Sequence, residues 1–146
     1  IDLKGLNHMI RYVDNPEIAL VDVLPIYEAV GWTNYTQNPE MLEAAFENSL
    51  HVLAAFTEEG ILVGVLRAVG DGASILFIQD ILVTPEYQHQ GIGTKLLQQT
   101  LEKYKNVYQI QLTTDNSMKK ISFYESNGFT SLTSLNCVSF MYTGNQ

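Results

Sequence analysis

The apolar period of this chain changes near residue 50, and that change limits its fold more than any other feature. Before it, apolar residues recur at helical spacing in "NPEIALVDVLPIYEAVGW" and "NPEMLEAAFENSL". Each segment opens on Asn-Pro, which predicts Asn15 and Asn38 as N-caps with Pro16 and Pro39 at the first helical positions. Pro25 is expected to kink or divide the first helix. After the change, "HVLAAFTEEGILVGVLRAV" reads as two strands joined at Glu58-Glu59-Gly60. "GDGAS" turns the chain into a third strand, "ILFIQDILV", which Thr84-Pro85 ends because proline cannot donate to a ladder.

Outside these segments, "IRYV" predicts an opening strand. Ile92, Leu96, Leu97, Leu101 and Tyr104 mark one face of a helix, and "VYQIQL" alternates as a strand. "SMKKISFYESN" is helical, with Gly128 placed for a left-handed C-cap. The tail "FTSLTSLNCVSFMY" predicts two more short strands. The order is β-α-α-β-β-β-α-β-α-β-β, an α/β (α+β) arrangement in which helices flank a mixed, mostly antiparallel sheet. Without repeats or linkers, residues 9 to 146 are expected to form one domain. Residues 1 to 8, before Met9, read as a cloning remnant.

Charge is uneven along the chain. Residues 1 to 60 hold ten Asp/Glu against Lys4 and Arg11, 2 − 10 = −8, and residues 61 to 146 hold six of each sign. An acidic first half disfavours nucleic acid and favours a cationic partner, although it also reads as a solvated surface. No apolar run is long enough to span a membrane. A lone Cys137 excludes an internal disulfide and points to a reducing, cytoplasmic setting. His8, His51 and His89 are too scattered for metal-ligand spacing, so no metal is expected.

The stretch "EYQHQGIGTKLL" places Gly91 and Gly93 where a helix begins. A Walker A loop would need a Gly-Lys pair, which is absent. A dinucleotide fingerprint would need a small residue at Leu96 and a tighter strand-to-helix turn. What remains is a glycine turn at a helix start, where unpaired N–H groups and the macrodipole attract a pyrophosphate. An ordinary helix entrance with tolerated glycines fits these residues equally well.

Together with its surroundings, "ILVTPEYQHQGIGTKLL" resembles motif A of the GCN5-related N-acetyltransferases (GNAT), with Gln88, Gly91 and Gly93 matching Gln/Arg-x-x-Gly-x-Gly/Ala. "FYESNGF" resembles the end of that family's motif B through Phe123-Tyr124 and Gly128-Phe129. The element order from Met9 to Tyr142 is similar too. The resemblance implies transfer of the acetyl group of acetyl-CoA, as co-substrate, to a primary amine of a small molecule or peptide. It implies that Ile81, Leu82 and Val83 pair with the pantetheine arm. Gln88, His89, Gln90, Gly91, Ile92, Gly93 and Thr94 would serve the pyrophosphate. Tyr124 would meet the departing thiolate.

Many relatives carry an Asn that binds the CoA arm seven residues before that Tyr; here the position is Ser117, with Asn116 one residue early, so Asn116 and Ser117 are the candidates for that contact. Asp80, the only acidic residue of its strand, is the candidate general base, beside a reading as a hydrogen-bonded structural carboxylate. A water chain is the other route for the proton. Trp32 and Tyr35 are candidates for the acceptor site, with Trp32 also read as a staple of the helical pair. A CoA-binding sensor or regulatory subunit without catalysis is the alternative function, and an NAD- or ATP-binding enzyme a third. The sheet ends allow a homodimer.

Overall fold

A computed structural model describes residues 9 to 144. They fall into two compact units that meet in sequence at Thr113 and Thr114. The expected remnant at residues 1 to 8 lies outside the described residues.

The first unit is built on a five-stranded sheet of order β1-β2-β3-β4-β5. Its strands are β1 (Arg11–Asp14), β2 (His51–Phe56), β3 (Leu62–Gly70), β4 (Ile75–Val83) and β5 (Gln109–Leu112). The first three neighbours pair antiparallel and β4 with β5 parallel. Helices α1 (Leu20–Ala29), α2 (Thr33–Thr36) and α3 (Pro39–Glu47) lie between β1 and β2 in sequence, and α4 (Ile92–Lys103) joins β4 to β5. That last connection is the crossover a parallel pair requires.

Strand β3 is buried over Leu62–Ala68 because both faces of the sheet are covered. Tyr27 and Leu42 pack with Val52, Ala54, Val65 and Leu82 on one face. On the other, Ile92, Leu96 and Leu97 of α4 are buried, each contributing roughly 1.5–3 kcal/mol. Gly64 lets this helix approach, since a methyl there would stand 3.0 Å from Ile92 Cγ2 and 3.3 Å from Leu96 Cδ1.

Two local expectations change. Helix α1 starts at Leu20 rather than at Pro16, and it runs through Pro25 unbroken. Asn15 does not cap it. Its N–H donates to Val52 O at 2.7 Å and its Oδ1 accepts from Val52 N at 2.9 Å, which ties the end of β1 to β2. Asn38 and Pro39 do occupy the N-cap and first turn of α3.

The second unit contains α5 (Met118–Ser126) and a short 3-10 turn at Leu132–Leu135. The two strands expected over residues 129 to 142 do not form among the described residues. Ser131 Oγ accepts from Ser134 N, and Asn136 turns left-handed at φ 60°, so local bonds take over where the pattern implied a ladder. Beyond Cys137 the backbone has no hydrogen-bond partner among the described residues. An extended segment without a neighbour does not count as a strand. The mixed sheet with flanking helices stands as expected.

Candidate functional site

The geometry begins with a bulge. Arg67 pairs with Asp80 but Ala68 pairs with Ile78, so Gln79 is the extra residue of β4. A bulge bends its strand and increases local twist. The parallel pairing of β4 with β5 covers only Ile75 to Ile78 and stops at this point. Beyond it, β4 continues to Val83 with β3 on one side and, among the described residues, no strand paired on the other.

The direction of the open backbone follows from register. Thr84 N–H donates to Val63 O at 2.9 Å, so Thr84 and, two residues earlier, Leu82 face β3. Ile81 and Val83 therefore turn their N–H and C=O groups to the open edge. The Leu82 side chain is buried in the core.

Gln88 joins this strand end to the loop that follows. Its Nε2 donates to Val83 O at 2.9 Å. After the 3-10 turn Pro85–Tyr87 the chain reverses through two left-handed residues, His89 at φ 64° and Gly91 at φ 85°. Gly91 is the N-cap of α4, and nothing lies within 4 Å of where its Cβ would be. A glycine is needed at this turn because an L side chain is strained at that φ.

The first backbone bond of α4 is Lys95 N–H to Gly91 O. The N–H groups of His89, Gln90, Gly91, Ile92, Gly93 and Thr94 have no partner among the described residues. Buried Ile92 holds this end of the helix on the sheet. The result is a fixed row of donors at the positive end of a helix dipole.

Asp80 lies on the buried face of β4, 2% exposed, among partners of its own. Its Oδ2 accepts from Arg67 Nε at 2.8 Å and from Tyr27 OH at 2.7 Å, and its Oδ1 accepts from Tyr35 OH at 3.2 Å. Burial, reinforced by the Asp80 carboxylate, pushes the Tyr27 phenol far up and keeps it a donor. Tyr35 stacks on Trp32 with centroids 5.9 Å apart, and both rings pack against the core. The two candidate acceptor residues thus form one aromatic surface, held by Tyr27 and Asp80 from below.

Arg67 has no role in the motifs, although the sequence carries a signal for it. Arg67 and Asp80 are the lone charges of two strands on either side of one turn.

In the second unit, Tyr124 sits on α5 directly before a Schellman end. Gly128 N–H donates to Glu125 O at 3.1 Å and Phe129 N–H to Tyr124 O at 3.1 Å, with Gly128 at φ 91°. The Phe129 ring lies edge-on to Tyr124 at 5.9 Å. The spacing Tyr-x-x-x-Gly-Phe is thereby a helix stop that fixes a half-buried tyrosine. Burial pushes the Tyr124 phenol up. Ser117 is the N-cap of α5, its Oγ accepting from Lys120 N at 3.3 Å, and Asn116 is exposed. Lys120 pairs with Asp115 at 2.8 Å.

The open end of β4 and the donor-lined entrance of α4 are built from the residues of the first motif, and the helix stop at Gly128-Phe129 from those of the second. The chain belongs to the GNAT acetyltransferases, since residues 48–131 match the family model described as acetyltransferase (GNAT) domain. A GNAT-family acetyltransferase structure from Streptococcus pneumoniae is 40% identical, with 94% of this chain and all of that one covered and a TM-score of 0.85. The N-acetyltransferase PaiA of Thermoplasma acidophilum, solved in complex with coenzyme A, shares the fold at 19% identity. It covers 83% of this chain and 89% of its own, with a TM-score of 0.66. "GCN5-related N-acetyltransferase 2, chloroplastic" of Arabidopsis thaliana is 29% identical over 86% of this chain, which spans 55% of that relative's length.

Proposed function

We propose that the chain is an N-acetyltransferase that uses acetyl-CoA as acetyl donor and a primary amine as acceptor. The observation that carries the reading is the row of unpartnered N–H groups from His89 to Thr94 at the start of α4. A diphosphate fits such a row, because several aligned donors meet several anionic oxygens without a side chain between them. Gln88 braces the loop against Val83, and the outward groups of Ile81 and Val83 offer an extended arm a strand to pair with. Acetyl-CoA bound there supplies an activated thioester carbonyl.

The remaining work falls to this chain's residues. The Val83 N–H, facing the open edge, is available to steady negative charge on a carbonyl oxygen. Burial keeps the Tyr124 hydroxyl protonated, which suits the role that the motif resemblance assigns it, donor of a hydrogen bond to the departing thiolate. A thiol titrates near ~8.5, below the phenol, so thiolate stabilisation outweighs complete proton transfer. Trp32 and Tyr35 present the aromatic surface for a cationic acceptor, in keeping with the acidic first sixty residues. We assign Asp80 the positioning of that surface rather than removal of the ammonium proton, because Arg67 and two phenols already engage its carboxylate; water takes the proton.

The test is a thiol-release assay with acetyl-CoA across primary amines, peptides and aminoglycosides, alongside calorimetric binding. Turnover with at least one amine is expected. Tyr124→Phe should lower kcat roughly tenfold or more while acetyl-CoA binds as before. Binding without turnover on any amine would favour a CoA-responsive subunit, and stabilisation by NAD or ATP instead of acetyl-CoA would reject the reading.

A further inference from the structure

We propose that Arg67 is a positioning residue: through Asp80 it fixes the acceptor surface of Trp32 and Tyr35 against the end of β4 along which the acyl arm runs. This role rests on acetyl transfer from acetyl-CoA to an amine. Its ground is a convergence within the first unit. Each of the helices α1, α2 and α3 sends a group to the buried Arg67–Asp80 pair. Helix α1 contributes Tyr27, whose hydroxyl donates to Asp80 Oδ2 at 2.7 Å. Helix α2 contributes Tyr35, whose hydroxyl donates to Asp80 Oδ1 at 3.2 Å. Helix α3 contributes the Phe46 ring, its centroid 5.9 Å from the Arg67 guanidinium carbon. Just past α3, Ser49 Oγ accepts from Arg67 Nη1 at 3.3 Å and donates to Ala45 O of that helix at 2.6 Å.

The place of the pair in the sheet gives these contacts a consequence. Arg67 and Asp80 stand opposite one another on β3 and β4, beside the bulge at Gln79. Ile81, the next residue of β4, turns its backbone to the open edge. The pair therefore lies where the track for the acyl arm begins. That track does not depend on Arg67, because the pairing of Leu66 with Ile81 and of Gly64 with Val83 holds it to β3. The aromatic surface has no ladder of its own. Helix α2 is four residues long, too short to be stable alone, and Tyr35 ties it to the sheet through Asp80.

A forked cation suits this arrangement. Arg67 Nε serves Asp80 at 2.8 Å while Nη1 serves Ser49. A lysine would keep the charge and lose the rigid fork that spaces the two contacts. Misplacing a reactant by about 1 Å costs roughly a hundredfold in rate. Arg67 thus governs the approach of the amine and not the binding of the coenzyme.

The test is steady-state kinetics with the amine of highest turnover, beside calorimetric binding of acetyl-CoA. Arg67→Lys should lower kcat/KM for the amine roughly a hundredfold and keep acetyl-CoA affinity within about twofold. Tyr35→Phe removes the hydroxyl, keeps the ring, and should cost about tenfold. Both changes together should cost little more than Arg67→Lys alone, since both act through Asp80. Should Arg67→Lys fail to fold, Ser49→Ala decides, with an expected loss of about threefold. Unchanged amine kinetics in the folded variants, additive losses, or an equal loss of acetyl-CoA affinity overturns the proposal and leaves the acetyltransferase reading standing. An unmodified protein that turns over no amine overturns both.

Discussion

The entrance to α4 and the cluster around Asp80 both belong to the first unit, and they handle polar groups in opposite ways. At the helix entrance, backbone donors from His89 to Thr94 stand without partners. Around Asp80, two carboxylate oxygens meet one guanidinium and two phenols, with Arg67 and Asp80 both buried. Donors left open at a rigid, accessible loop cost little while water serves them, and they are ready for an anion. A buried charge cannot wait in this way; it must be partnered when the chain folds. The difference separates groups that bind from groups that hold, even though both sit near the end of β4.

The largest expected effect tests the holding side. Asp80→Ala leaves the Arg67 charge buried without its partner and strands the hydroxyls of Tyr27 and Tyr35. Stability measured by urea unfolding should fall by about 3–5 kcal/mol. If it changed by less than about 0.5 kcal/mol while turnover collapsed, Asp80 would be a proton acceptor and the contrast would break.

The binding side responds to Gly91→Val. At φ 85° the new side chain is strained by about 1–2 kcal/mol, and it also stands in the space before the donors. Acetyl-CoA affinity should drop roughly tenfold to a hundredfold by calorimetry, about 1.4–2.8 kcal/mol. Gly60→Val is the control, because Gly60 has φ 86° and equally open space in the β2–β3 turn. It should carry the same strain and leave affinity intact. Equal affinity losses in the two variants would show that strain, and not access to the donors, governs binding.

The binding side was the more legible in sequence. Its chemistry is backbone chemistry, and glycines at a helix entrance announce it locally; the Tyr124 helix stop is equally local through Gly128 and Phe129. The holding side depends on register. Asp80 stood out as a charge in an apolar strand, but its meaning waited on Arg67, thirteen residues earlier, and on Tyr27 from another element. The bulge at Gln79 has no residue signature of its own, so the sequence does not reveal where the pairing of β4 with β5 stops. The tail failed for a related reason: alternation shows that a segment can pair, and says nothing of where its partner is.

His51 offers the finest test, because it lies between the two extremes. Its ring is buried, and its Nε2 lies 2.9 Å from Thr100 Oγ of α4. Its Nδ1 lies 3.4 Å from Asp14 Oδ1 without a hydrogen bond. Burial, followed by the nearby Lys103 charge, lowers its pKa from 6.5 to about 4, and Asp14 only partly opposes this. The folded state therefore holds His51 neutral where the unfolded chain protonates it. Between about 4 and 6.5 the unfolded state binds more protons, so stability rises with pH through that window. The contribution is complete above pH 6.5 and lost as pH falls through about 4. It amounts to about 2 kcal/mol once screening near the exposed Asp14 is allowed for. His51→Gln should flatten the unfolding free energy across that window relative to the unmodified chain, measured by urea titrations at successive pH values. An unchanged slope would mean that Asp14 keeps the ring charged, and that this site holds by ion pairing as Asp80 does.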